Sequence, residues 1–307
     1  MNRVLIKIIL LCVFLHAGTL FSQQKRLFKG NPLELGVMLG VSHYIGDLTR
    51  GIDFKETNPA VGIICRYSLN DYLTLRGSAW FGQISGDDKN YDSDDFRKNR
   101  NLSFKSNILE FSGTVEWNIL GFEETTKGRP WSPYLFAGLG VYKYNPKAQF
   151  EYMPNVFLPS GLPIHPSELA EFDGQWFELQ PMATEGQEST QYNDRKRYAL
   201  TQLSLPVGLG VKTQISEKWA LGFEAGLRLT YNDYLDDVSK TYAGDQIVGS
   251  NSRLQAAVLA DRTIELGRDY NAPKDPRGTS TFPDMYTFMG VTLTRKLGGG
   301  KTKCFQF

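Results

Sequence analysis

Histidine and cysteine are scarce in this 307-residue chain, with three of each, and neither sign of charge prevails, with 34 basic and 33 acidic residues. A net charge of +1 creates no global field for nucleic acid, and no clustered basic stripe creates a local one. Beyond residue 22 no apolar run approaches the ~20 residues that a helix needs to cross a bilayer. Only His43 and His165 lie outside the first 22 residues, and neither has the partner pattern of an acid–base catalyst. Both read as surface residues, His43 on the outward register near a rim and His165 between Pro163 and Pro166. There is no nucleophile elbow and no His-Glu-x-x-His. Cys65 and Cys304 sit in settings too different for a disulfide framework and lack metal-site spacing. No catalytic residue, cofactor, metal or small-molecule substrate is expected, although a site built from rim loops would leave no motif.

The first residues read as a secretory signal peptide over 1–22. Arg3 and Lys7 flank the apolar run Ile8–Leu15, and Ala17, Gly18, Thr19 and Ser22 follow. Cys12 raises lipidation, but Leu11 stands where a small residue is normally required. Residues 23–307 then form one domain.

What the chain does have is alternation. Leu33, Leu35, Val37, Leu39, Val41 and Ile45 occupy odd positions, and Glu34, Gly36, Met38, Gly40, Ser42 and Tyr44 lie between them. Side chains alternate faces along a strand, so the segment has one greasy face and one small or polar face. The pattern recurs near 59–69, 73–82, 109–119, 133–144, 202–212, 221–230 and 284–297. Eight such strands predict an all-β, antiparallel, up-and-down transmembrane barrel, apolar toward lipid and polar inside. A mean hydropathy of −0.32 fits, because only alternate strand residues meet lipid. Pro206 on an inner face predicts a bulge. The last strand is ambiguous: Met289, Val291 and Leu293 look outward, while Tyr286 and Phe288 read as lying on opposite faces.

Short connections (70–71, about 121–132, 214–218) alternate with long ones (about 47–58, 84–103, 145–197, 232–283). Bacterial barrels keep short turns in the periplasm, which predicts an outer-membrane protein with periplasmic termini and extracellular long loops. The 84–103 loop, with Asp87, Asp88, Asp92, Asp94 and Asp95 among Lys89, Arg97, Lys98 and Arg100, reads as a solvated face. A calcium site there is the alternative, without EF-hand spacing. The proline-rich 145–197 loop has aromatics enough to fold on the rim.

Eight strands leave an interior wide enough for little beyond side chains. Glu34, Arg66, Arg76, Glu110, Glu116, Glu224 and Arg228 all fall on inner faces and are expected to pair there as a charged plug; a proton or ion path is the functional alternative. Trp80, Trp117, Tyr134, Tyr142, Trp219, Tyr231 and Tyr286 read as interfacial girdle residues. Phe305 and Phe307 read either as a barrel's C-terminal aromatic signal or as a short periplasmic tail.

Three segments carry a resemblance: ELGVMLGVSHYIGDL (34–48), TYNDYLDDVSKTY (230–242) and DMYTFMGVTLTRKL (284–297). They resemble the PorG-like outer-membrane barrels of Bacteroidetes, associated with type IX secretion and gliding motility. That resemblance implies a non-enzymatic anchor for a periplasmic ring, in contact with outer-membrane lipid and with partners resembling the PorK lipoprotein and PorN. It also makes Asp233, Tyr234, Leu235, Asp236 and Asp237 a family-like rim segment, whose side chains suit loop ordering. A ring beneath the membrane implies docking on the longest short turn, through Glu123, Glu124, Lys127, Arg129 and Trp131. An adhesive barrel with ligand-binding outer loops, or a lipid- or peptide-modifying rim enzyme, are the alternatives.

Overall fold

The computed structural model describes residues 33–91, 94–122, 130–152, 169–245, 247–248 and 254–297. Its strands are β1 (Leu33–Ile45), β2 (Asn58–Ser68), β3 (Leu73–Asp87), β4 (Ser103–Asn118), β5 (Trp131–Lys143), β6 (Pro146–Gln149), β7 (Trp176–Glu178), β8 (Thr201–Gln214), β9 (Trp219–Thr230) and β10 (Met285–Leu297). Eight of them close into an antiparallel barrel in the order β1-β2-β3-β4-β5-β8-β9-β10, with β10 pairing back onto β1. The seam is in register from Leu33↔Leu297 to Ile45↔Met285. Closure removes every edge along this ring, as a strand surrounded by lipid requires. Among the described residues no helix is long and apolar enough to cross a membrane.

Odd residues of β1 to β5 point out. Leu39 at 63 % exposure, Phe111 at 58 % and Leu139 at 67 % are far more open than large apolar side chains of a water-facing wall normally are. The outward face from Leu109 to Ile119 covers ten residue steps, about 26 Å along the axis at ~3.4 Å per residue and a ~40° tilt. That matches the height of a lipid-facing band. Cys65, a free and half-buried thiol, belongs to this face beside Gly77 and Gly113. In a Cys304→Ser background, Cys65 is expected to react with an apolar maleimide in bilayers but not with a charged one. Equal labelling by both would place it in water.

Even residues of β1 to β5 fill the interior. Trp80 stacks on Phe288 with ring centroids 4.7 Å apart, and Tyr286 meets Tyr142 edge-on at 5.3 Å. Tyr286 and Phe288 therefore share the inner face and do not oppose one another; residues two apart on a strand must do so. Trp80, Tyr134, Tyr142 and Tyr286 are buried in the lumen, so they are not girdle residues, whereas Trp117, Trp219 and Tyr231 are exposed. Room for the aromatic fill comes from glycine: a Cβ on Gly208 would lie 2.4 Å from the Phe136 ring, and one on Gly226 would lie 2.7 Å from it. Pro206 produces no bulge. Pairing lapses between Ala137↔Val207 and Gly140↔Ser204, and both pairs keep one register.

β3 and β4 run past the belt to Asp87 and from Ser103, so the 84–103 loop shrinks to a short tip. That tip carries α1 (Asp95–Arg100), capped by Asp94, whose carboxylate accepts the Phe96 and Arg97 N–H groups. The tip is a solvated face only in part, with Lys89, Asp95 and Lys98 exposed. Asp88 and Arg100 are buried as a bidentate pair (2.7 and 2.8 Å) that neutralises both charges, and the buried Arg97 meets Asp94 at 3.6 Å and donates to the Leu48 carbonyl. Asp92 lies outside the described residues, as do residues 1–22, expected to be a signal peptide, His165, Cys304, Phe305 and Phe307.

Candidate functional site

The described parts of all four long connections meet at one end of the barrel and fold into a cap. Leu48, Leu102, Leu179, Leu235, Val258 and Ile264 join one apolar cluster that runs on into the barrel through Tyr44, Trp80 and Phe288. β6 extends the β4 edge beyond the ring, with Lys105↔Lys147, and β7 pairs with β6. A second helix, α2 (Leu254–Ala260), packs Ala256 and Ala260 beside Met182 and Val248. His43 is covered here and not on the surface: its Nε2 lies 3.0 Å from Thr57 Oγ1, under the connection between β1 and β2.

The family-like segment 233–237 forms the middle of the cap. Tyr44 Oη lies 2.6 Å from Asp236 Oδ2 and 2.8 Å from Asp284 Oδ1, with all three residues at 1 % exposure or less. One hydroxyl has one proton, so it donates to only one carboxylate. The other contact needs a protonated carboxyl that donates to the tyrosine oxygen. The two remaining carboxyl oxygens already accept backbone N–H bonds, Asp236 Oδ1 from Val238 (2.9 Å) and Asp284 Oδ2 from Leu235 (2.8 Å). The pair therefore holds one proton against the tyrosine. Burial, and then the neighbouring charges of Asp47 on Asp236 and of Asp236 and Asp233 on Asp284, push both acids well above the usual carboxylate range.

Beside this latch, Asp237 adopts a left-handed backbone (φ 69°) and accepts from Tyr198 Oη at 2.7 Å and from the Thr184 hydroxyl. Arg277 lies between Asp237 (3.7 Å) and Glu185 (3.2 Å), and also donates to the Ala260 and Asp237 carbonyls. Glu185 accepts the N–H groups of Ser239 and Lys240. Arg100 donates to the Arg277 and Asp47 carbonyls, which ties the α1 tip to the same knot. Burial, opposed by Arg277, raises Asp237 to about 6; burial with Asp47 and Glu185 nearby raises Asp233 to about 7. Tyr234 stacks on Tyr198 at 4.9 Å and Leu235 is fully buried. Asp236, Asp237, Glu185 and Arg277 are thus spent on other parts of the cap, whereas both Asp233 carboxylate oxygens are buried without a hydrogen-bond partner among the described residues. Among the described residues, no group of His, Cys, Asp or Glu is arranged to hold a metal ion.

The lumen holds the second polar system. Glu116 meets Arg66 (2.7 Å), Lys212 (3.1 Å) and Arg76 (3.4 Å). Glu224 meets Arg76 (2.7 Å), Arg66 (3.6 Å) and the Tyr134 hydroxyl (2.7 Å). Higher in the barrel Glu110 pairs with Arg228 (3.2 Å) and accepts from Tyr286 (2.7 Å). Glu34, near the short-turn end, accepts from Thr294 (3.0 Å) and lies in register with Lys296 and Arg66. Lys212, on the inner face by periodicity, joins the network although spacing alone did not pair it. Arg277, Glu185, Thr184 and Tyr198 had no sequence signal, since loop residues follow no period. Of the docking residues, Trp131 starts β5 and is exposed; Glu123, Glu124, Lys127 and Arg129 lie outside the described residues.

Comparison with known proteins adds a family. No curated protein matches the sequence. Among solved structures, Ail, the attachment invasion locus protein of Yersinia pestis, is 9% identical over 88% of this chain and 100% of that one, with a TM-score of 0.36. Neisserial surface protein A is 9% identical over 88% of this chain and 98% of that one, with a TM-score of 0.36. OprG of Pseudomonas aeruginosa is 9% identical over 87% of this chain and 98% of that one, with a TM-score of 0.32. The profile described as a domain of unknown function, DUF6089, matches residues 5–153 and 180–247, more than half of the sequence, and the chain belongs to that family.

Proposed function

We propose that the chain is a non-enzymatic outer-membrane barrel that anchors a periplasmic ring of a type IX secretion and gliding apparatus. The observation that carries the reading is the filled lumen. Glu116 and Glu224 share Arg66 and Arg76 across the interior, and the buried rings of Phe136 and Trp80 pack against Arg76 and Arg228. A barrel plugged by its own ion pairs conducts little and acts through its two ends. The resemblance of 34–48, 230–242 and 284–297 to PorG-like barrels supplies the partners, proteins resembling PorK and PorN, at the short-turn end. The long-loop end then faces outward from the cell.

The test is crosslinking and affinity recovery of tagged protein from outer membranes. A ring lipoprotein is expected to come with it, and reversing Glu123, Glu124, Lys127 and Arg129 together with Trp131→Ala is expected to cut that recovery at least severalfold. Intact barrel recovered without an envelope partner would overturn the anchor. The folded cap favours a second reading, an adhesive barrel whose ordered outer surface binds a ligand. Recovery of a surface partner lost on cap substitutions, with the short turns irrelevant, would favour it. The rim enzyme has the least support, because Asp236, Asp237, Asp284 and Glu185 of the cap are buried and held by Tyr44, Tyr198, Arg277 and backbone N–H groups.

A further inference from the structure

We propose that a cavity on the outer wall of the barrel, at the long-loop edge of the apolar belt, seats the phosphorylated headgroup of a lipid in the adjoining leaflet. The inference rests on the barrel being embedded in a membrane. The belt ends at the row Phe81↔Leu109. One step toward the cap the outward residues are Gln83 and Asn107, and one step further they are Lys105 and Lys147. The change from hydrocarbon-compatible to polar and cationic side chains takes place within two such rows, about 14 Å along the strands and about 10 Å along the barrel axis at a ~40° tilt. That is the depth at which lipid headgroups begin.

At this level lies a cavity of about 470 Å³ lined by Gln83, Lys105, Asn107, Asn145, Lys147 and Trp176. Its size is that of small-ligand sites. β3 and β4 form its floor, and the paired strands β6 and β7, which lie outside the closed ring, provide its far wall. Trp176 is half exposed there, and the Lys105 ammonium sits 5.1 Å from its ring centre. Aromatic side chains with one apolar body and one polar edge favour this interfacial depth. Lys143, exposed and in register with Leu109, adds a third cation just below. Glu178 opposes them 3.2 Å from Lys147, in a pair about half open to solvent and therefore weak, and the buried Glu56 also bears on Lys105. Three cations against these two acids, with amide donors from Asn107 and Gln83, suit an anionic phosphate on a sugar scaffold.

The test uses the full chain in phosphatidylcholine nanodiscs doped with a phosphorylated glycolipid, its dephosphorylated counterpart, or neither. Retained lipid is read by native mass spectrometry. Wild type is expected to retain the phosphorylated glycolipid in preference to its dephosphorylated counterpart and to the zwitterionic matrix lipid, and K105Q/K147Q to retain about tenfold less of it, since each surface lysine contributes modestly. K218Q, at the opposite end, is expected to match wild type. Equal retention of the dephosphorylated lipid, or no loss in K105Q/K147Q while the barrel is inserted, overturns the headgroup site and leaves the membrane reading intact. Competition by inorganic phosphate at millimolar concentration with no lipid preference assigns the cavity to a soluble anion and also overturns it. Failure of wild type to insert, scored by protease resistance and heat-modifiable gel migration, overturns the membrane reading and the site together.

Discussion

Glu116→Leu is expected to lose about 3–5 kcal/mol of barrel stability, the range for removing one partner from a buried ion network. Glu116 is fully buried and faces three cations, Arg66, Arg76 and Lys212. Leucine fills similar space but leaves those charges to share Glu224, which already receives both guanidinium groups. Unfolding in urea from detergent micelles, followed by gel migration, measures the loss. Adding Lys212→Met to Glu116→Leu is expected to recover about 1–3 kcal/mol, because the two sites are in direct contact and their effects should not add. Glu34→Gln serves as the contrast: its nearest hydrogen bond comes from the Thr294 hydroxyl and its effect should be smaller. A Glu116→Leu protein as stable as wild type would mean that the lumen charges are individually dispensable. The plug would then be no argument for a closed barrel.

The strands and the lumen charges were legible because a period of two is a direct consequence of backbone geometry. Glu34, Arg66, Arg76, Glu110, Glu116, Glu224 and Arg228 could be assigned inward one by one without knowing any contact. Periodicity states which face a side chain takes, and not which other side chain it meets. Lys212 is the example, inward by parity yet paired only once three dimensions bring β8 across from β4. The aromatics show a different conflict. Trp80, Tyr134, Tyr142 and Tyr286 stand near strand ends, where girdles occur, but each has inner-face parity, and parity decided the outcome. His43 went the other way: its outward parity is real, and the connection carrying Thr57 covers it.

The cap was the part that could not be read. Charged loop residues in a single sequence look alike whether solvated or buried, so Asp88 and Arg100 read as a water-facing run. Their burial follows from a neutralising partner only 12 residues away and from the Arg277 and Asp47 carbonyls on distant loops. The family-like segment was legible as loop-ordering, through Asp236 accepting from Val238. Its contact with Tyr44, 192 residues earlier, was not.

That contact has the second large consequence: the cap should loosen as pH rises. The folded cap keeps a proton between Asp236 and Asp284, and Asp237 and Asp233 are raised to about 6 and about 7. In the opened chain these acids return to ordinary carboxylate values near 4. The folded form thus binds more protons than the opened form over that interval, and its stability falls with pH. The contribution is complete below about pH 4 and is lost through about pH 6 to 7 for Asp237 and Asp233, and higher for the Asp236–Asp284 pair. Amide exchange of residues 233–239, corrected for intrinsic chemistry, is expected to rise about tenfold between about pH 5 and about pH 9, while the barrel strands stay protected. Asp284→Asn should flatten the alkaline part of that rise. An asparagine amide donates to the Tyr44 oxygen as the protonated acid does, its carbonyl still accepts the Leu235 N–H, and no second negative charge can form. Tyr44→Phe should instead weaken the cap at every pH, because it removes the hydroxyl between the two acids without removing either acid. If Asp284→Asn follows the wild-type curve throughout, the shared proton is not what closes the cap. The slope would then belong to Asp233 and Asp237, and the corresponding asparagine variants would identify which one.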